Sequence, residues 1–235
     1  MYKALFFYLV ASTTTVAQVM VSPHSKLLFQ RSSLGFVSEL PPPPPGTVGS
    51  AYYDDNWLTT DLFLKNETKL EGVHVKLDLS SQNFEILHEG AVKVLPGERV
   101  LSFQWITGKG VQEVFVRGDY ITAEGLKLTG FMKLLSDTEP FRLIEFYTVE
   151  KLSANYNPQL DVGTKDHQIV KKSRMFIAKD KLVLEVKGSK KKFISDFKDV
   201  FQTDVSGIVK EFDIDTRDDQ ELLVLLKQLN YSNPG

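Results

Sequence analysis

Val73-His74-Val75-Lys76-Leu77-Asp78-Leu79 alternates aliphatic and polar side chains at strict period two. In an extended strand that spacing turns Val73, Val75, Leu77 and Leu79 to a buried face, and His74, Lys76 and Asp78 to water. Outward from this run, similar short stretches follow at residues 83–88, 92–95, 100–106, 111–117, 126–135 and 141–149. Turn chemistry separates them, at Glu89-Gly90, Pro96-Gly97, Gly108-Lys109-Gly110, Gly118-Asp119, Glu124-Gly125 and Ser136-Asp137. About seven strands at roughly ten-residue spacing predict an antiparallel β-meander. Such a sheet must roll into a barrel-like form or pair its faces as a sandwich to bury its apolar side. A further hairpin is expected from 169–177 and 181–187 across Lys179-Asp180.

The period then changes. Phe193, Phe197, Val200 and Phe201 fall at i, i+4, i+7 and i+8, one face of an amphipathic helix. Val205, Ile208, Val209 and Phe212 fit a second short helix. A third is expected to start near Thr216 as N-cap, with Asp218, Asp219 and Glu221 in its first turn, and to carry Leu222, Leu223, Leu225, Leu226 and Leu229. The fold class is therefore α+β, with the helices gathered at the C-terminal end.

Upstream of the strands, residues 1–17 have the form of an export signal. Lys3 precedes the apolar run Ala4 to Ala11, and Thr15-Val16-Ala17 offers a cleavage site before Gln18. The apolar run is well short of the roughly 20 residues that span a bilayer, so no transmembrane span is expected in the mature chain. Residues 18–48 form a flexible Pro-rich segment. Its Pro41 to Pro45 favours a polyproline II spacer of about 15 Å. The expected organisation is thus signal peptide 1–17, Pro-rich segment 18–48, β-rich domain 49–188 and a C-terminal helical segment 189–235 packed on the β domain.

Composition narrows the function classes. Apolar residues make up 42% of the chain and the formal charge is −2, ample for a core and too near neutral to point to nucleic acid. The chain has no cysteine. An exported protein of this size without disulfides fits the periplasm or cell envelope better than a small extracellular module. Asn66-Glu67-Thr68 and Asn230-Tyr231-Ser232 have the form of glycosylation acceptors, a pattern that arises often by chance.

Motifs for catalysis or metal binding fail on inspection. Asp213-Ile214-Asp215-Thr216-Arg217 begins like a calcium loop, but Arg217, Asp218 and Val224 stand where a ligand, a glycine and a glutamate are needed. Gly108-Lys109-Gly110 begins like a dinucleotide fingerprint, but Glu113 replaces the third glycine and strands follow. His24, His74, His88 and His167 are scattered, so no zinc site is expected, and no cofactor. Trp57, Trp105, Tyr52 and Tyr53 are candidates either for stacking on sugar rings or for the core.

Two candidate binding regions stand out. Residues 153–168 form a long irregular stretch in which Asn157-Pro158 favours a turn and Gly163 tolerates positive φ. Tyr156, Asp161, Gly163, Lys165 and Asp166 make it either a binding loop or a structural strap. Charge is also segregated: residues 165–192 hold ten Lys or Arg against three Asp or Glu, and residues 193–235 hold four against nine. Lys171, Lys172, Arg174, Lys190, Lys191 and Lys192 are therefore candidates for a polyanion patch, unless the two blocks fold together and neutralise each other.

Gly49-Ser50-Ala51-Tyr52-Tyr53-Asp54-Asp55-Asn56-Trp57, the block from Asn155-Tyr156-Asn157-Pro158 through Leu160-Asp161-Val162-Gly163 to Lys165-Asp166, and Ile169-Val170-Lys171-Lys172 together resemble a family of uncharacterised exported proteins of Bacteroidetes-type Gram-negative bacteria. The resemblance covers residues 49 to about 231 and leaves out the proline run. It implies export and assigns no catalytic residue. The expectation is an exported protein, periplasmic, envelope-associated or secreted, that binds an envelope protein or polymer without catalysis. The alternatives are a small glycan- or polyanion-binding module and a hydrolase whose site is assembled from separate strands.

Overall fold

The structure, a computed structural model, describes residues 46–107, 110–157 and 159–232. The expected export signal and all of the Pro-rich segment before Gly46 lie outside the described residues.

The alternating run at Val73 sits in β3 (Lys69–Asp78), whose Val73, Val75 and Leu77 are buried. Its antiparallel neighbours are β2 (Leu58–Leu64) and β4 (Asn83–His88), and β5 (Ala91–Leu95) pairs with β4. A single turn of 3₁₀-helix at Gly97–Arg99 then carries the chain over, so that β6 (Val100–Ile106) joins the other edge of β2. The order β6-β2-β3-β4-β5 therefore departs from a simple meander. β7 (Gln112–Thr122), β8 (Lys127–Leu134), β9 (Arg142–Leu152) and β10 (His167–Lys179) follow as antiparallel neighbours. The sheet is mixed rather than wholly antiparallel. β1 (Thr47–Val48) runs parallel to β10, and β11 (Leu182–Glu185) pairs antiparallel with β10 and parallel with β7.

β7 serves both halves of the sheet. Residues 112–116 pair with β6, whereas Ile121 and Thr122 pair with Leu182 and Val183 of β11. Hydrogen-bonded neighbours therefore form a circuit from β7 through β8, β9, β10 and β11 back to β7. Tyr120, Leu128, Met132, Ile144, Phe146, Phe176, Ala178 and Val183, drawn from all five strands, pack together as one core. The Gly118-Asp119 pair, expected as a turn, lies inside β7 opposite Gly130 and Thr129. The glycine is there for space: a Cβ at Gly118 would lie 2.2 Å from the Tyr120 ring and 2.9 Å from the Met132 sulfur.

A second core fills the first half of the sheet, with Leu62, Phe84, Phe103, Trp105 and Phe115 fully buried in it. Phe103 stacks on Phe115 at 4.7 Å between ring centroids and meets Phe84 edge-on at 5.0 Å. A third core lies under the helices α1 (Lys190–Phe201), α2 (Ser206–Glu211) and α3 (Asp219–Ser232). Phe193, Phe197 and Phe201 of α1 join Phe141, just before β9, and Leu143, Ile177 and Leu184 of the strands with Leu222, Leu225, Leu226 and Leu229 of α3. Ser189 caps α1, its hydroxyl accepting from the Lys192 amide at 3.3 Å. The cap of α3 is Asp218 rather than Thr216: its carboxylate accepts from the Gln220 and Glu221 amides at 2.8 and 3.1 Å, while Thr216 is buried.

Candidate binding site

Glu113 follows the phase of Phe115 along β7, so its carboxylate points to the inner side of the sheet, near one end of the first core. One oxygen accepts from the Trp105 indole at 3.0 Å and from the Tyr53 hydroxyl at 3.1 Å, and the other pairs with Lys133 Nζ at 2.6 Å. Burial alone would push the Glu113 carboxyl up. The hydrogen bonds from Lys133, Trp105 and Tyr53 outweigh it and hold the group below the ordinary carboxylate range. Beside it the Tyr53 and Tyr147 rings meet edge-on at 4.8 Å, and the Tyr147 hydroxyl donates to Glu145 at 2.6 Å. Burial, reinforced by the neighbouring carboxylates, raises both tyrosine hydroxyls well above their usual value, so they stay protonated donors.

This braced cluster adjoins an open cleft of about 700 Å³. Asp54, Asn56, Trp57, Ile106, Val111 and Glu113 are among the residues lining it. The turn before β2 places the polar rim: Asp54 Oδ1 accepts from the Asn56 amide at 2.8 Å and from Asn56 Nδ2 at 3.0 Å. The apolar part comes from Ile106 at the end of β6 and Val111 just before β7, which are 60% and 56% exposed. Trp57 is half-buried, with the Lys76 ammonium 5.1 Å over its ring. Trp105, by contrast, is 1% exposed, so of the two tryptophans only Trp57 is placed to meet a ligand.

The residues singled out in 153–168 come together as a self-tied loop. Asn155 holds it, its amide donating to the Thr164 carbonyl at 3.0 Å and its Oδ1 accepting from the Thr164 amide at 2.8 Å. The Tyr156 hydroxyl donates to Asp161 at 2.8 Å, and the Lys165 ammonium lies 4.6 Å over the Tyr156 ring. Gly163 takes φ +93°, and a Cβ there would lie 2.5 Å from the Asn155 carbonyl oxygen. Asp166 comes close to Gly46, where the chain enters β1. Tyr156, Asp161, Gly163, Lys165 and Asp166 thus spend much of their chemistry on the loop itself.

The basic residues are dispersed. Lys171 donates to the Tyr52 carbonyl at 2.9 Å, tying the segment before β2 to β10. Lys172 pairs with Glu150, and Arg174 lies 4.0 Å from Glu185 and over the Phe176 ring. Lys190 meets Asp213 at 3.2 Å and Lys192 meets Asp196 at 2.8 Å, while Lys191 is exposed on α1. The Lys190–Asp213 and Lys192–Asp196 pairs link the basic block to the acidic one.

Sequence reading singles out Trp57 of this cleft but passes over Glu113 and its partner Lys133. Their signal was a charged residue in the inward phase of an alternating strand, at Glu113 and again at Lys133 beside Phe131. Among the described residues, no group of three or more His, Cys, Asp or Glu is placed to hold a metal ion. Comparison with family models, with curated proteins and with solved structures finds no match to the chain.

Proposed function

We propose that this chain is an exported cell-envelope protein that binds a partner or polymer without catalysis, and that the cleft beside Trp57 is where it does so. The observation that carries the reading is the state of Glu113. Its largely buried carboxylate is one of the two acids lining the cleft, and both its oxygens are engaged by fixed donors. Those donors hold the carboxyl below the ordinary range, which makes Glu113 a weak proton acceptor and a poor general base for activating a nucleophile. A braced carboxylate next to an exposed half-apolar cleft suits recognition instead. The signal-like residues 1–17 and the resemblance to uncharacterised exported proteins support the location. The circuit of paired strands around Met132, Ile144 and Phe176 supports reading the sheet as rolled, with the cleft near one end.

A polyanion-binding reading draws less support, because Lys171, Lys172, Arg174, Lys190 and Lys192 already have partners. Two measurements test the proposal. Mass analysis of the native protein from fractionated cells should find a chain starting at Gln18 with the envelope, and a cytosolic chain starting at Met1 would overturn the location. Purified protein should show no turnover of ester, glycoside or peptide substrates. A defined turnover abolished by Glu113→Gln would overturn the non-catalytic reading.

A further inference from the structure

The cleft beside Trp57 combines two chemistries that one class of ligand matches. Its apolar side is an indole with two branched aliphatic side chains, and Ile106 and Val111 stay more than half exposed. Its polar rim is rich in acceptors. Asp54 Oδ1 is occupied by Asn56, and among the described residues no donor reaches Asp54 Oδ2 or Asn56 Oδ1. A pyranose ring has the complementary layout, with axial C–H groups forming an apolar face and equatorial hydroxyls presenting donors at its edge. The volume of about 700 Å³ lies within the range of small-ligand sites and leaves room for more than one ring. The Asp54 carboxylate at the rim, next to Asp55, disfavours an anionic chain.

We propose that this cleft binds a segment of an uncharged oligosaccharide, packing sugar C–H faces on Trp57, Ile106 and Val111 while sugar hydroxyls donate to Asp54 and Asn56. The proposal rests on the reading of the chain as a non-catalytic binding protein and names the ligand class for it. The Lys76 ammonium lies 5.1 Å over the Trp57 ring and 5.2 Å over that of Tyr52, a cation–π contact that restrains the indole before ligand arrives. Glu113 contributes the floor, since its bonds to Trp105 and Tyr53 fix the inner end of the cleft.

The test is titration of the intact protein with neutral hexasaccharides of β-glucan, α-glucan, mannan, xylan and chitin, read by tryptophan fluorescence and by thermal shift. A cationic decapeptide and an acidic polysaccharide complete the panel. At least one neutral glycan should bind at millimolar concentration or below, and Trp57→Ala should weaken it about tenfold, the usual worth of one aromatic platform. Because Trp57 is half-buried, Ile106→Asp serves as a second variant: the position is exposed, so the fold should persist while binding falls. Leu126→Ser, at an exposed site away from the cleft, should change nothing. Binding of the peptide or the acidic chain at this cleft, with no neutral glycan bound, would overturn the ligand class and leave the binding reading standing. No response to any probe would overturn the glycan proposal, and glycan cleavage during titration would overturn the non-catalytic reading instead.

Discussion

Glu113 links the first core to the cleft through three donors, and its removal should therefore cost more than a surface carboxylate would. Glu113→Gln leaves Lys133, whose side chain is 19% exposed, without its counter-charge. A loss of about 2 kcal/mol in urea unfolding is expected, between the worth of one charged hydrogen bond and that of a broken buried pair. The double variant Glu113→Gln, Lys133→Met should recover part of that loss. The pH dependence has a definite sign. The folded Glu113 carboxyl lies below its ordinary value of 4.5, so its contribution is complete above that value and is lost as pH falls through the lowered one. The stability gap between the parent chain and Glu113→Gln should thus stay flat from neutral to about pH 5 and close below it. A gap that widened in acid would contradict the geometry.

At the scale of elements, the helices rest on the apolar core they share with the strands, and one polar residue adds a pin to it. Asn230 of α3 donates to the Thr138 hydroxyl at 2.9 Å and the Phe141 carbonyl at 3.1 Å, and accepts from the Phe141 amide at 3.2 Å. Asn230→Ala should cost about 2 kcal/mol, with faster amide exchange at Phe141 as the local sign. Asn155→Ala should behave differently. It unties only the loop at 153–168, so exchange at Thr164 should quicken while global stability moves by less than about 1 kcal/mol. Much of this layer was legible in the amino-acid pattern. The Phe193, Phe197 and Phe201 face of α1 and the strand at 83–88 stand where periodicity puts them. β2 did not show itself, because Thr60 occupies an inward position of Leu58, Leu62 and Leu64 and hides the alternation. Its hydroxyl is satisfied locally, donating to the Leu58 carbonyl at 3.1 Å, which is why a polar group is tolerated there. The passage of β7 through Gly118 was likewise hidden, since a glycine required by a neighbouring ring looks the same in sequence as one required by a turn. The cleft was illegible for a third reason: Asp54 and Trp57 reach Ile106 and Glu113 only through the pairing of β2 with β6, strands distant in the chain.

For the whole molecule, the three cores share strands and should melt together. Phe103→Ala in the first core and Phe197→Ala in the helical one should each cost about 3–5 kcal/mol. Both tryptophans belong to the first half, at Trp57 and Trp105, whereas the three described α-helices cover the second. Tryptophan fluorescence and the helical band of far-ultraviolet circular dichroism therefore report different halves of the sheet. Their urea transitions should coincide, and two separated midpoints would show that the cores are independent. The reason to expect one transition is β7, half of which is bonded to β6 and the other end to β11. Cutting the chain at the turn after Thr122 would hand that strand to the N-terminal piece alone. The C-terminal piece would then present β8 and β11 with unfilled edges, and the two pieces would complement each other in trans as a split reporter does, each silent until the other supplies the missing seam.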